Sequence, residues 1–423
     1  MSTEPNDTPA TRRRSRSAPL LQALAGAALL VAIAGCSTIS GAFGAGGGSL
    51  PTVELFERSP ANAPVITSGE AERPIFIADP GVYADDEGLH LFFTTPFSQD
   101  GDRWHYAMDP ANPDSSGLEG PTIGTIGYAF SSDEGVTWEF RETPIILPDT
   151  EGWQTDIETA FPFRIGDRFF LLYSAHGAID GTVLPNRFQI GVAEMHVGGG
   201  VSLRDTFLDP DVRLTKRPEP LIPAEMERIT RTNNTQEPSA TVRDGVVTVF
   251  FTGLGLAKPD ASIAARGQDL VSIDFMSAEF DTDLRPVDGG EPRPLRINPP
   301  INIQEVRYHQ GTYHVFFTTL TGTGEFHRGE QIGHATSTDG VTWDDPAVIL
   351  RPSAEPMFDD WGMMAPTAAI LEDKTLLFYS AFERLDRPPF PVPPDGRLGI
   401  GVDGDPSVTV LANIGRAVSA PLE

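Results

Sequence analysis

Short apolar runs alternate with polar turns along most of the chain, and no long stretch shows the periodicity of an amphipathic helix. The apolar runs are rich in β-branched and aromatic residues and are bounded by Gly, Asp and Pro. This pattern is typical of β-strands joined by tight turns, because such side chains suit a pleated surface and Gly, Asp and Pro suit turns. The sequence therefore predicts an all-β fold.

Five segments of the chain align without a gap. Each has an apolar half, a short polar turn carrying Asp or Gly, and a second apolar half, and each is followed at once by Ser or Thr. Two apolar halves around a polar turn predict a β-hairpin. The five segments are residues 79–93, 159–173, 237–251, 303–317 and 365–379.

The spacing of these hairpins predicts the architecture. They start 80, 78, 66 and 62 residues apart, which leaves room for a second strand pair in each repeat. This pair is clearest at 126–130 and 136–140, and its last copy is predicted at 398–402 and 408–411. Four strands repeated five times predict a five-bladed β-propeller with four antiparallel strands per blade. The stretch 53–66 is expected to pack on the ring or help to close it.

The first 35 residues have the layout of a secretory signal. Four arginines between positions 12 and 16 precede an apolar stretch over 18–35, and Cys36, the only cysteine in the chain, follows directly. A basic segment before an apolar one is typical of export signals, and the end of this stretch resembles a bacterial lipobox, whose cysteine is acylated. We therefore expect residues 1–35 to be a lipoprotein signal peptide and Cys36 to carry the lipid.

Residues 36–50 are rich in Gly, Ala and Ser, a composition typical of flexible tethers, and the propeller is expected to span 51–423. We expect an exported protein, lipid-anchored to the cell membrane or cell envelope and in contact with the membrane only through that anchor. A single cysteine leaves no intramolecular disulfide, so stability must come from packing. We expect the protein to be a monomer.

The net charge of −28 argues against nucleic acid as a partner, because such a surface repels phosphate backbones. The eight histidines form no cluster with Asp and Glu at the spacing of metal ligands. No metal site is predicted from the residues, and no cofactor is expected to be required.

Two turns, at 131–138 and 337–343, match or nearly match the Asp box of sialidases. Their structural interpretation is a hairpin turn in which Asp caps the backbone, Gly takes a positive φ and Trp packs between blades. A sialidase-like enzyme is one alternative, but it needs six blades, a tyrosine nucleophile and an arginine triad. The five-fold repeat argues against it.

Two acids occupy the same position of the aligned repeat, and each is followed by Pro: Asp79 in the first blade and Glu237 in the third. With these two acids and its five-fold repeat, the sequence resembles the five-bladed propeller glycosidases of glycoside hydrolase families 43, 32 and 68. These families include arabinanases, xylosidases, invertases and levansucrases. The resemblance covers nearly all of residues 75–411.

The resemblance implies a central funnel where a blade-one Asp, a blade-two Asp and a blade-three Glu meet on the sugar. Glu237 would be the general acid and Asp79 the base or nucleophile, the pair that glycosidic cleavage needs. Some family 43 members hold calcium in the axial channel, so the resemblance also leaves room for a structural calcium ion.

Blade two departs from this pattern, because its aligned position is Thr159. Asp156 and Glu158 lie just upstream, on the same side of the strand by alternation. We prefer Asp156 as the second carboxylate and keep Glu158 as the alternative. Candidate substrate-binding groups are the aromatic faces and amides near the inner strands, namely Trp153, Asn234, Gln236 and Trp361.

The leading hypothesis is a glycoside hydrolase acting on an oligo- or polysaccharide, with furanosides or pentose-containing glycans as suggested substrates. The main alternative is a surface glycan-binding propeller lipoprotein that has lost catalysis. It is supported by Thr159, which stands where the superfamily has Asp.

Overall fold

In the described part of the chain the predicted strands form five antiparallel sheets, each with a row of four strands and two of them with a fifth strand added, and a short two-stranded sheet besides. The predicted signal peptide, Cys36 and nearly all of the tether lie outside the described residues, so the predictions for them stay predictions. The computed structural model describes residues 50–422 except 54, 69–75, 101–102, 107–121, 180–181, 184–187, 199, 225–233, 257–269, 288, 300, 320–327, 355–356, 386–399 and 403–404.

Each blade runs from an inner strand at the axis to an outer strand at the rim. Blade 1 contains β2 (Ala78–Ala84), β3 (Leu89–Asp100), β5 (Thr122–Ser131) and β6 (Glu139–Phe140), with β4 (Arg103–Tyr106) added to β3. Blade 2 contains β7 (Asp156–Ile165), β8 (Arg168–His176), β11 (Gln189–His196) and β12 (Thr215–Lys216), with β9 (Ala178–Ile179), β10 (Thr182–Val183) and a short helix α1 (Leu203–Leu208) in its connections.

The remaining blades follow the same order. Blade 3 contains β13 (Asn234–Arg243), β14 (Val246–Leu256), β15 (Leu270–Phe280) and β16 (Arg293–Pro294), and blade 4 contains β17 (Asn302–His309), β18 (Thr312–Thr318), β19 (Ile332–Ser337) and β20 (Ala347–Leu350). Blade 5 contains β21 (Gly362–Ile370), β22 (Thr375–Leu385), β24 (Asp405–Ser419) and β1 (Glu57–Arg58), with β23 (Ile400–Val402) added to β24. The five inner strands contact one another in a closed ring, which confirms the five-bladed propeller.

Both faces of each sheet are apolar because each face packs against a neighbouring blade. Phe92 packs in the core between blades 1 and 2, whereas Phe93 packs between blades 5 and 1. Phe169 and Phe170 divide in the same way between the two sides of blade 2. Successive side chains of a strand point to opposite faces, so the paired aromatic residues of each repeat fill two different cores.

The ring is closed by residues from both ends of the folded part. Strand β1 pairs antiparallel with β24, matching Glu57 to Val418 and Arg58 to Ala417. The buried Asp359 accepts a hydrogen bond from Arg58 Nε at 2.7 Å and ties this strand to blade 5. The expectation for 53–66 is therefore confirmed.

Of the predicted last strand pair, residues 400–401 do pair with 409–410, but the place of this pair in the blade was predicted wrongly. Residues 405–419 form a single long strand that is the third of its blade, and β23 pairs with it rather than with β22. The fourth strand comes from the N-terminal side of the domain, where two residues give too little pattern for recognition from sequence.

The first residue of each aligned repeat, which we call the hub residue, has left-handed backbone geometry in all five blades. The φ angles are 49°, 52°, 58°, 48° and 48°. At each of these points the inner strand carries a register shift, so the backbone bends there and turns the following residues along the axis. The hub residues are Asp79, Thr159, Glu237, Ile303 and Ala365.

The Asp-box turns have the structural role predicted for them. Asp133 Oδ1 accepts hydrogen bonds from the amides of Val136 and Thr137, and Gly135 has φ 82°. The Trp138 ring packs edge-on against Phe378 of blade 5, with 5.7 Å between ring centroids. With five blades, the sialidase-like alternative loses its required architecture. No helix among the described residues has the length and apolarity that a membrane span requires.

Candidate active site

A small axial cavity of about 40 Å³ lies where the five inner strands meet. All five hub residues line it, so the two acids that the repeat predicts, Asp79 and Glu237, face the same space. Asp79 and Glu237 are each only 5% exposed. The cavity is lined by Asp79, Pro80, Thr159, Ala160, Phe161, Glu237, Pro238, Ile303, Gln304, Glu305, Ala365 and Pro366.

The Glu237 carboxylate is held by donors from two blades. Oε1 accepts from Gln236 Nε2 at 2.9 Å, and Oε2 accepts from the Thr252 hydroxyl at 3.0 Å and the Ile303 amide at 2.9 Å. Its own backbone N–H donates to Ser174 Oγ at 2.8 Å. The side chain is therefore fixed at both carboxyl oxygens.

Blade two has no carboxylate at the hub. Thr159 occupies the position with the same left-handed backbone as Asp79, and its hydroxyl donates to Ser174 Oγ. The departure seen in the sequence is thus a real difference in the lining of the cavity. Neither Asp156 nor Glu158 is among the residues that line it.

Asp156 lies on β7, opposite His176 on β8, away from the axial cavity lining. Its Oδ2 lies 3.6 Å from His176 Nε2, and both residues are at most 5% exposed. Burial raises the pKa of the Asp156 carboxyl to about 8, because desolvation penalises the charged form. Glu158 is also buried and precedes the hub residue of its blade, with Ser174 as its cross-strand neighbour. Catalytic roles for both stay predictions.

The predicted substrate-binding groups have protein contacts. Trp153 Nε1 donates to the Pro218 carbonyl at 3.0 Å, and Trp361 is buried with the Arg328 guanidinium 5.3 Å from its ring. Asn234 is buried in the first position of β13. Gln236 contacts Glu237 directly, so it belongs to the site through the acid it binds.

Two further residues near the axis that the repeat did not single out are Glu305 and Arg307, both on β17. Glu305 accepts hydrogen bonds from the Thr367 hydroxyl at 2.6 Å, the Ala368 amide at 2.8 Å and Arg307 Nε at 2.7 Å. A signal exists in the sequence, since Glu305 stands two residues after a hub residue. Its partners in other blades could not be read from that position.

Arg307 bridges the axis. Its Nη2 donates to the Val82 carbonyl of blade 1 at 2.8 Å, and its guanidinium lies 4.6 Å from the centroid of the Phe161 ring of blade 2. A calcium ion needs about six to eight oxygen ligands, but here the Glu305 carboxylate and the Val82 carbonyl already bind a cation. The residues at this level of the axis therefore do not fit the calcium ion that the family resemblance allows.

Comparison with known proteins agrees with the fold. Residues 299–387 match the model of the glycosyl hydrolases family 32 N-terminal domain, whereas no curated protein sequence matches the chain. Similar solved structures include a glycoside hydrolase, at 10% identity over 89% of this protein and 90% of that one, with a TM-score of 0.50. The GH43_1 enzyme from Xanthomonas citri is 16% identical over 86% of this protein and 90% of that one, with a TM-score of 0.47.

A third similar structure shows that the fold alone does not determine the reaction. It is an N-acetylgalactosamine deacetylase from F. plautii, 14% identical over 88% of this protein and 96% of that one, with a TM-score of 0.50. The reaction must therefore be argued from the side chains at the axis. The chain therefore shares its five-bladed fold with these solved structures, and over residues 299–387 it is similar to the glycosyl hydrolases family 32 N-terminal domain.

Proposed function

We propose that the protein hydrolyses glycosidic bonds at the axial end of the propeller, with Asp79 and Glu237 as the reacting carboxyl groups. The observation that carries the proposal is that these two acids, 158 positions apart in the sequence, line one cavity. The other three hub residues, Thr159, Ile303 and Ala365, carry no charge. Asp79 and Glu237 are thus the two hub residues whose side chains can donate or accept a proton in the proposed reaction.

In this mechanism Glu237 protonates the glycosidic oxygen as the bond to the anomeric carbon breaks. Asp79 either takes a proton from the attacking water or attacks the anomeric carbon itself, and a second step then releases the sugar. The two routes differ in the configuration of the product, so NMR of the first-formed anomer distinguishes them. Inversion requires carboxyl groups about 6.5–9.5 Å apart and retention about 5–5.5 Å.

We infer that furanosides and pentose-containing glycans are the substrates to test first, because the sequence resembles arabinanases, xylosidases and invertases. The net charge of −28 favours neutral over acidic glycans, since a negative surface repels carboxylated or sulfated chains.

The test is hydrolysis of a panel of aryl glycosides and of plant, fungal and bacterial polysaccharides. In Asp79→Asn and Glu237→Gln we expect kcat to fall by roughly 10³-fold, with unchanged circular dichroism. Asp156→Asn and Glu158→Gln test the second carboxylate predicted for blade two, and we expect smaller losses in both because neither residue lines the cavity. Full activity in both hub variants would contradict the proposal.

A second function, glycan binding without catalysis, is favoured by one specific observation. Thr159 occupies the hub position of blade two, where the resemblance implies an Asp. Calorimetric binding of a polysaccharide that is never hydrolysed, with equal affinity in wild type and Glu237→Gln, would support this alternative instead.

A further inference from the structure

Each inner strand is hydrogen-bonded to the preceding blade, and we call these five contacts joints. Four of the five joints follow one pattern. The backbone N–H of a hub residue donates to the Ser or Thr that follows the aligned repeat of the preceding blade, which we call the joint hydroxyl. The donor-acceptor pairs are Asp79–Ser380 at 2.8 Å, Thr159–Thr94 at 2.9 Å, Glu237–Ser174 at 2.8 Å and Ala365–Thr318 at 3.1 Å.

The joint between blades 3 and 4 is different. The Ile303 amide donates to Glu237 Oε2 at 2.9 Å, and the joint hydroxyl of this blade, Thr252, lies 3.0 Å from the same oxygen. The backbone of Ile303 has the same left-handed geometry as the other hub residues. The Glu237 carboxylate is therefore inserted between an amide and a hydroxyl that would otherwise bind each other.

We infer that Thr252 is a positioning residue for Glu237, holding this carboxyl group in one orientation in both of its protonation states. The inference rests on the proposed function, in which Glu237 loses and regains a proton in every cycle. A hydroxyl suits this role because it donates one hydrogen bond and accepts others.

The neighbours of Thr252 provide both arrangements. When Glu237 is ionised, the Thr252 hydroxyl donates to Oε2. When Oε2 is protonated, it donates to Thr252 Oγ1, and the hydroxyl turns its own proton to Gln304 Oε1, which lies 2.7 Å away. The Ile303 amide stays on Oε2 in both states.

The described charged residues that line the cavity with Glu237 are both acids. Across the cavity, Glu237 faces the acids Asp79 on β2 and Glu305 on β17, and Glu305 is paired with Arg307. The hub residues of β7 and β21, Thr159 and Ala365, are neutral. A substitution at Thr252 leaves the facing acids Asp79 and Glu305 in place.

The experiment compares Thr252→Val with Thr318→Val, the same substitution at a joint hydroxyl whose partner among the described residues is a backbone amide. The Glu237 carboxyl is followed by carbon NMR of glutamate-labelled protein, with its signal assigned from Glu237→Gln. Valine keeps the shape but removes a donor that binds the ionised form more strongly than the neutral one. We expect the titration midpoint to move up by roughly one pH unit in Thr252→Val and to stay unchanged in Thr318→Val.

The pH–rate profile gives a second readout. In Thr252→Val the alkaline limb should move to higher pH, with kcat lowered by roughly ten-fold and KM nearly constant, and Thr252→Ser should restore both. An unmoved midpoint in Thr252→Val, or an equal shift in Thr318→Val, overturns the inference. A shifted midpoint in a protein that cleaves no glycan supports the positioning and overturns the proposed function alone.

Discussion

The hub positions of blades 1 and 3 share their backbone with those of blades 2, 4 and 5 but differ in side-chain chemistry. Asp79 and Glu237 have the same left-handed φ as Thr159, Ile303 and Ala365. Because a threonine, an isoleucine and an alanine all serve this geometry, the ring does not require an acid at any hub position. The bend is therefore explained by the fold, and the two carboxyl groups by the chemistry that we propose for them.

The bend is imposed by the ring rather than by local preference. A left-handed backbone is costly for β-branched residues such as Thr159 and Ile303, by an amount of order 1–3 kcal/mol. The inter-blade hydrogen bonds of the hub amides and the aromatic cores on either side offset this cost. If so, disrupting a joint should affect stability more than changing the hub side chain itself.

The largest effect is expected at Gly81, where the inner strands of blades 1 and 2 leave no space for a side chain. A Cβ on Gly81 would lie 1.9 Å from the Ala160 carbonyl oxygen, so Gly81→Ala must push two inner strands apart. We expect the free energy of unfolding to fall by about 3 kcal/mol or more, measured by urea denaturation. Gly198→Ala is the control, because its Cβ would meet only Val201 at 3.7 Å; equal losses in both variants would contradict this explanation.

The same joint shows why glycine stands there. In three other joints the amide three residues after the hub donates to the side chain two residues after the preceding hub: Val82 to Thr367, Val306 to Ser239 and Ala368 to Glu305. Between blades 1 and 2 the corresponding residues are Pro162, which has no N–H, and Gly81, which has no acceptor side chain. Neither partner is left with an unmet hydrogen bond, and the strands can approach.

A smaller loss is expected when the axial cation is removed. Arg307→Met keeps an unbranched, largely apolar side chain but deletes the bonds to Glu305 and Val82. The side chain is 19% exposed, so solvent weakens these bonds, and we expect a loss of about 2 kcal/mol. Arg285→Met, at a residue whose side chain is 74% exposed, should change stability by less than about 0.5 kcal/mol.

The melting temperature of the wild type should be the same in EDTA and in calcium, since Arg307 binds the axial oxygens. Asp85, Glu87 and His90 of blade 1 could also hold a metal ion, so a fall in EDTA that is reversed by calcium contradicts the argument for an internal cation only if it persists in Asp85→Asn.

Local sequence patterns predicted much of this structure, whereas the contacts between distant residues could not be predicted from the sequence. The alignment that placed Asp79 and Glu237 at equivalent positions also marked the Ser or Thr after each repeat, and these residues are the joint hydroxyls. Hairpins are local, so turn chemistry and apolar runs were sufficient to predict them. The bond from Ile303 to Glu237 and the reach of Arg307 to Val82 join residues 66 and 225 positions apart, and only the closed ring brings them together.

The smallest change in stability is expected in Ala365→Gly, which tests the energetic cost of the left-handed backbone at a hub residue. Ala365 has φ 48°, a region where an L-residue loses roughly 1–2 kcal/mol relative to its usual geometry, whereas Gly adopts it freely. In Ala365→Gly this relief should nearly cancel the lost methyl group and the greater freedom of the unfolded chain, leaving a change below about 0.5 kcal/mol. Ala369→Gly, four residues along the same strand and also buried, has no such relief and should lose about 1–1.5 kcal/mol.

Because both variants remove one buried methyl from β21, the difference between their urea midpoints isolates the backbone contribution. Equal losses would mean that the bend at the hub costs nothing, and the separation of ring backbone from hub chemistry would lose its energetic basis.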